Sequence, residues 1–123
     1  MTRIQIIAGE ITVDAELNNS NTAQQIIQSM PIEGEGNRWG DEIYFSIPVD
    51  TGSEDPQSLV QMGDLGYWPP GKAFCIFFGP TPISSKDEIR PASEVNIIGK
   101  VTGDPSVFKK VQSGTKIILK KVE

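Results

Sequence analysis

Ile11, Val13, Ala15 and Leu17 alternate with Thr12, Asp14 and Glu16, the period-two pattern of a strand with one buried face. Arg3–Ala8 precedes this strand, and Gly9-Glu10 between them predicts a hairpin closed by a two-residue turn of the Gly-X kind. The period then changes. Ala23, Ile26, Ile27 and Met30 recur at helical spacing, with Asn21 placed to cap and Gln24 three residues on, so a short amphipathic helix ends at Pro31. The segment IEGEGNRW is turn-rich, and alternation resumes over Asp41–Ile47, a strand stopped by Pro48. DTGSEDPQS reads as a mobile surface loop. Gln61–Trp68 and Ala73–Phe78 predict two strands joined by a tight turn at Pro69-Pro70-Gly71. After the loop GPTPISSKDEIRPASE, VNIIGKV is a further strand. Asp104-Pro105 starts a second short helix, with Val107, Phe108 and Val111 on its apolar side, and Thr115–Val122 is the last strand.

Many short strands against two short helices predict a mainly β chain, folded as one domain over residues 1–123. The expected form is a closed, largely antiparallel barrel of about eight strands with the helices covering its ends. Such a barrel has an interior only wide enough for side chains. A site therefore belongs on its outer face or rim.

Composition narrows the chemistry. There is no histidine, which removes the usual proton shuttle near neutral pH, and the single cysteine, Cys75, excludes an intrachain disulfide and a multi-thiolate zinc site. Sixteen acidic against eleven basic residues give a net charge of -5, unsuited to a nucleic-acid partner. Lys109, Lys110, Lys116, Lys120 and Lys121 are read as solvating charges. No run approaches the ~20 apolar residues of a membrane-spanning helix, and the N-terminus alternates where a signal peptide is continuously apolar. A cytoplasmic protein with no membrane partner is the expectation.

Five of the nine aromatic residues lie between Gly63 and Pro82, and three more, Trp39, Tyr44 and Phe45, in RWGDEIYF. Alternation assigns Phe74, Ile76 and Phe78 to the barrel core and Ala73, Cys75 and Phe77 to its outside. Core packing then leaves Tyr67, Trp68 and Phe77 to be placed, together with Trp39 and one of Tyr44 and Phe45. These rings either wall a ligand groove or pack beneath the long loops or in a dimer contact. Cys75 reads as a small apolar filler, since no histidine is present to activate it. Asp41 and Glu42, adjacent in a strand, point to opposite faces and suit turn capping or pairing with Arg38. Nothing in the carboxylate spacing fixes a metal ligand set, and no metal or cofactor is expected.

The order of elements resembles that of the cyclophilins. Glu16-Leu17 and Thr22-Ala23-Gln24-Gln25-Ile26 are similar to the family's E-L pair and T-A-x-N-F, and Gly99-Lys100-Val101 to the core of its V-F-G-K-V strand. A more specific resemblance is to small prokaryotic cyclophilin-like proteins with no assigned function, which share the segments found here at Arg38–Phe45, Gly63–Gly71 and Phe77–Pro82. Cyclophilins twist the X-Pro bond with an arginine in F-x-R-x-I-P. In this chain that position falls on Phe45, or on Ser46 with the register shifted by one, and neither offers a guanidinium fork. The family's glutamine falls on Ala73, its pocket aromatic on Cys75, its histidine on Val95, and its tryptophan near Arg90.

The resemblance implies a barrel that has kept the fold and lost the isomerase chemistry. The former catalytic face, with Arg38, Trp39, Phe45, Tyr67, Trp68, Ala73, Cys75 and Phe77, is then expected to bind a small apolar ligand, a peptide or a protein. Two alternatives stand beside it. One is a divergent peptidyl-prolyl isomerase in which Arg38 or Arg90 replaces the missing arginine, and the other a homodimer that buries the aromatics.

Overall fold

Residues 1–122 are described by a computed structural model of the chain. The opening alternation forms β1 (Thr2–Ala8) and β2 (Ile11–Leu17), paired antiparallel with Ala8 opposite Ile11 across the Gly9-Glu10 turn. Helix α1 (Asn21–Ser29) follows. Its cap is Ser20, one residue before the expected Asn21: the Ser20 hydroxyl accepts from the Ala23 amide at 3.1 Å. Met30, extended as a residue preceding proline must be, ends the helix. Ser20→Ala is expected to lower unfolding stability by about 1 kcal/mol in denaturant titration.

The turn-rich segment contains two strands that its composition concealed, β3 (Ile32–Glu35) and β4 (Asn37–Trp39). Gly36 joins them, and a Cβ there would stand 3.0 Å from Ile43 and 3.1 Å from Ile117. It is a point of close approach between two flanks and not a reverse turn. Then come β5 (Glu42–Ser46), β6 (Asp64–Trp68), β7 (Ala73–Phe77), β8 (Asn96–Val101) and β9 (Lys116–Lys121). The Asp104-Pro105 signal opens a 3-10 helix over Pro105–Lys110, its Asp104 carboxylate accepting from the Ser106 amide at 3.0 Å. Between β6 and β7 a 3-10 turn at Pro69–Gly71 closes on Lys72, which takes the positive φ of 49° expected of a glycine.

All nine strands pair antiparallel in one sheet of order β3-β9-β1-β2-β8-β6-β7-β5-β4. Its terminal strands are consecutive in the chain, so the sheet curls into a nearly closed barrel, of nine strands instead of about eight. Where β8 meets β2, a Cβ on Gly99 would overlap the Glu16 carbonyl oxygen. The glycine of Gly99-Lys100-Val101 is therefore a packing requirement. The β6–β8 register slips nearby, between Leu65 and Gly66.

Inside the barrel, inward side chains of the strands form one core with Ala23 and Ile26 of α1 and with Phe108 and Val111 from the C-terminal 3-10 helix and its cap. The segment expected to be a mobile loop is pinned to this core. Tyr67 donates to the Val49 carbonyl at 2.6 Å and accepts from the Thr51 amide, while buried Asn96 accepts from the Glu54 amide at 2.8 Å and donates to the Gly52 carbonyl at 3.0 Å. The Glu54 carboxylate in turn receives the Thr22 hydroxyl and the Thr22 and Asn21 amides at the start of α1, and these hydrogen bonds, the hydroxyl's first, hold it below the usual carboxylate range.

Candidate functional site

Strand parity decides which side chains leave the barrel. Ile43 and Phe45 of β5, Leu65 and Tyr67 of β6, and Phe74 and Ile76 of β7 point inward to the main core. Their neighbours Glu42, Tyr44, Trp68, Ala73, Cys75 and Phe77 take the opposite face. Register aligns these into rows: Trp39 opposite Glu42 and Glu42 opposite Phe77, Tyr44 opposite Cys75, and Trp68 opposite Ala73. Directly paired residues share a face and touch.

This outer face is roofed. Residues 79–95 cross it, forming a second apolar cluster in which Val60, Ala73, Cys75, Phe77 and Val95 are buried and Tyr44, Trp68, Ile89 and Ile97 pack around them. The Trp68 indole N–H donates to Ser93 at 2.6 Å, Gln57 and Val95 exchange backbone bonds of 2.8 and 3.0 Å, and the Val60 amide donates to the Ile89 carbonyl at 3.0 Å. Between roof and sheet remains a hollow of about 290 Å³. Trp39, Glu42, Tyr44, Trp68 and Cys75 line it from the sheet, and Pro91, Ala92 and Val95 from the roof.

Among the described residues Glu42 is the one carboxylate of this lining, and only 6% of its surface is exposed. Burial pushes its pKa up to about 7, against the opposing effect of a hydrogen bond from Cys75. That thiol also lies 3.8 Å from the Ala73 carbonyl, and one S–H serves one acceptor at a time. Burial first, and the Glu42 charge second, push Cys75 well above the ordinary thiol range. It stays protonated, which removes it as a nucleophile near neutral pH.

The site residues expected from the sequence divide into three groups. Trp39, Trp68 and Cys75 line the hollow, with Ala73 and Phe77 buried in the same outer cluster. Phe45 and Tyr67 belong to the barrel core, because each shares parity with inward neighbours; their place on the outer face is corrected. Arg38 is also turned away. Paired with inward Ile43, it donates to the carbonyls of Gly40 (3.0 Å) and Val111 (2.8 Å), pairs with Asp41 at 3.2 Å, and lies 4.9 Å over the Phe78 ring. Arg90, in the roof, is held by Glu88 at 2.9 Å. Sequence reasoning did not place Glu42, Pro91 or Ala92 at the site, took Phe45 where Tyr44 lines the hollow, and met Val95 only as the position of the family's histidine. Glu42 was detectable, since it stands two residues before Tyr44 and so on the same face, but a polar residue facing outward is ordinarily a solvent-facing one. Among the described residues no group of three or more metal-ligating side chains converges, and no helix is long and apolar enough to cross a membrane.

A sequence profile described as Cyclophilin-like matches residues 2–120, and the chain belongs to that family. The hypothetical protein AF2241 from Archaeoglobus fulgidus, known from its solution structure, is 38% identical over 98% of this chain and 95% of its own, with a TM-score of 0.83. McbB in complex with tryptophan shares the fold at a TM-score of 0.72 and 13% identity, over 95% of this chain and 44% of McbB. Among curated proteins, none matches the chain.

Proposed function

We propose that this cyclophilin-like chain binds a small, largely apolar ligand in the roofed hollow and does not act as a prolyl isomerase. The observation that carries this reading is the hollow itself, walled by Trp39, Tyr44 and Trp68 with a single charged group, Glu42, on its sheet side. Apolar walls with a few fixed polar groups are the usual make-up of ligand pockets, and about 290 Å³ lies at the small end of their ~300–1,000 Å³ range. That size and the roof favour a compact molecule over an extended peptide or a protein surface. The placement of Arg38, committed to backbone carbonyls and Asp41, and of Arg90, committed to Glu88, supports the loss of isomerase chemistry.

Both tryptophans line the hollow, so their fluorescence reports on it. Titration with a small aromatic molecule, 2-phenylethanol, is expected to change that emission saturably. Trp68→Ala is expected to weaken binding roughly tenfold or more, as loss of a buried aromatic anchor does. A flat titration would overturn the binding reading. In a proline-peptide assay the protein is expected to leave the isomerisation rate unchanged; acceleration lost in Arg38→Ala or Arg90→Ala would restore the enzyme.

A further inference from the structure

On its sheet side the hollow is lined by electron-rich groups. Trp39, Tyr44 and Trp68 present aromatic rings, and Glu42 and Cys75 add a carboxylate and a sulfur. The Trp68 N–H, which would otherwise be a donor into the space, is used by Ser93. No lysine or arginine lines it. Among the described residues, no N–H or O–H of the protein donates to the Glu42 carboxylate, whose one neighbouring donor is the shared Cys75 thiol. Among the described residues no buried side-chain oxygen is left without a partner, so this carboxylate opens on the hollow, where a cation close to it supplies the pairing that the protein does not. Aromatic faces attract the same kind of charge through their quadrupoles.

We propose that the hollow is selective for a small organic ammonium, a primary amine carried on a short apolar or aromatic body, with Glu42 as its counter-ion and Trp39, Tyr44 and Trp68 as the surrounding cage. This rests on the hollow being a ligand site, as proposed above, and adds the chemistry of what enters it. A neutral ligand of the same shape fills the apolar volume and leaves the carboxylate uncompensated. An amine fills the volume and pairs the charge.

The pairing carries a pH signature. Glu42 must be ionised to act as counter-ion, and burial holds it protonated to about pH 7. The groups facing it are the Tyr44 phenol on its own strand and the Cys75 thiol on β7; Trp39 on β4, Trp68 on β6 and Pro91, Ala92 and Val95 of the roof carry no titratable group. Asp41 and Arg38, its nearest charged neighbours in sequence, pair with each other on the opposite face. Amine selectivity is therefore expected to grow as pH rises toward about 8 and to fade toward about 5.

The test compares 2-phenylethylamine with 2-phenylethanol, neutral and nearly the same shape, by tryptophan fluorescence on the intact chain. At about pH 8 the amine is expected to bind at least about tenfold more tightly than the alcohol. At about pH 5 that ratio is expected to approach one, and Glu42→Gln is expected to bring it near one at both pH values. Equal or weaker binding of the amine at about pH 8, or a preference that survives Glu42→Gln, overturns the proposal while the hollow remains a ligand site. Failure of both probes overturns the two readings together.

Discussion

Glu42→Gln is expected to make the protein more stable, by about 3 kcal/mol at about pH 8, and to flatten its stability profile between about pH 4.5 and 7. The sign follows from where the proton resides. In the unfolded chain Glu42 titrates at its ordinary value of 4.5; in the folded protein burial raises this to about 7. Between those values the native state keeps a proton that the unfolded state releases. Stability therefore falls as pH rises from about 4.5 and levels off above about 7, the total loss corresponding to about 3 kcal/mol. Glutamine keeps the shape and the burial but has no proton to lose. Below about pH 4.5, where the wild-type carboxyl is neutral in both states, the two proteins should differ little. Urea titrations of both at a series of pH values provide the measurement. Parallel profiles across the window would show that the carboxyl reaches water and that the hollow is wet at its base.

Phe45→Ala is expected to lower stability by about 3–5 kcal/mol, the range for deleting a buried phenylalanine ring. The ring is 1% exposed and lies 5.6 Å from that of Phe74, tilted against it. Its loss opens a void inside the barrel, on the far side of the sheet from Trp68 and Glu42. Affinity for 2-phenylethanol in the folded variant should therefore stay within about twofold of wild type. Domains of this size are commonly stable by about 5–15 kcal/mol, so the cost consumes a large share of the total. A loss under about 1 kcal/mol, accompanied by lost binding, would put Phe45 back on the outer face.

The contrast between Phe45 and Tyr44 shows what the sequence could decide. Alternation was legible wherever both faces of a strand differed in polarity, as in β2, and it placed Phe74, Ile76 and Phe78 inside and Ala73, Cys75 and Phe77 outside. In β5 both neighbours are aromatic, so polarity no longer separates the faces, and the similarity to the cyclophilin arginine position drew Phe45 outward. Tyr67 was misplaced because it was left over once the inward positions of the Ala73–Phe78 strand had been assigned, whereas its ring lies in the core and Val49 and Thr51 satisfy its hydroxyl there. The strands β3 and β4 were hidden because glycine marks turns and close contacts alike, and only the fold tells which. The roof was beyond reach for another reason. Residues 79–95 carry no periodic pattern, and their position depends on single long-range bonds such as Trp68 to Ser93.

The joint at Gly36 bears on how the protein behaves in a crowded solution. An open sheet offers two rows of unpaired amides that a stranger's strand can add to. Here the first and last strands of the sheet are four and three residues long and are joined by a single residue, Gly36, whose amide carries the β3–β9 pairing one step further, onto the Thr115 carbonyl at 2.8 Å. Fibril-like growth through the backbone has almost nowhere to start, and recognition of another molecule is left to side chains.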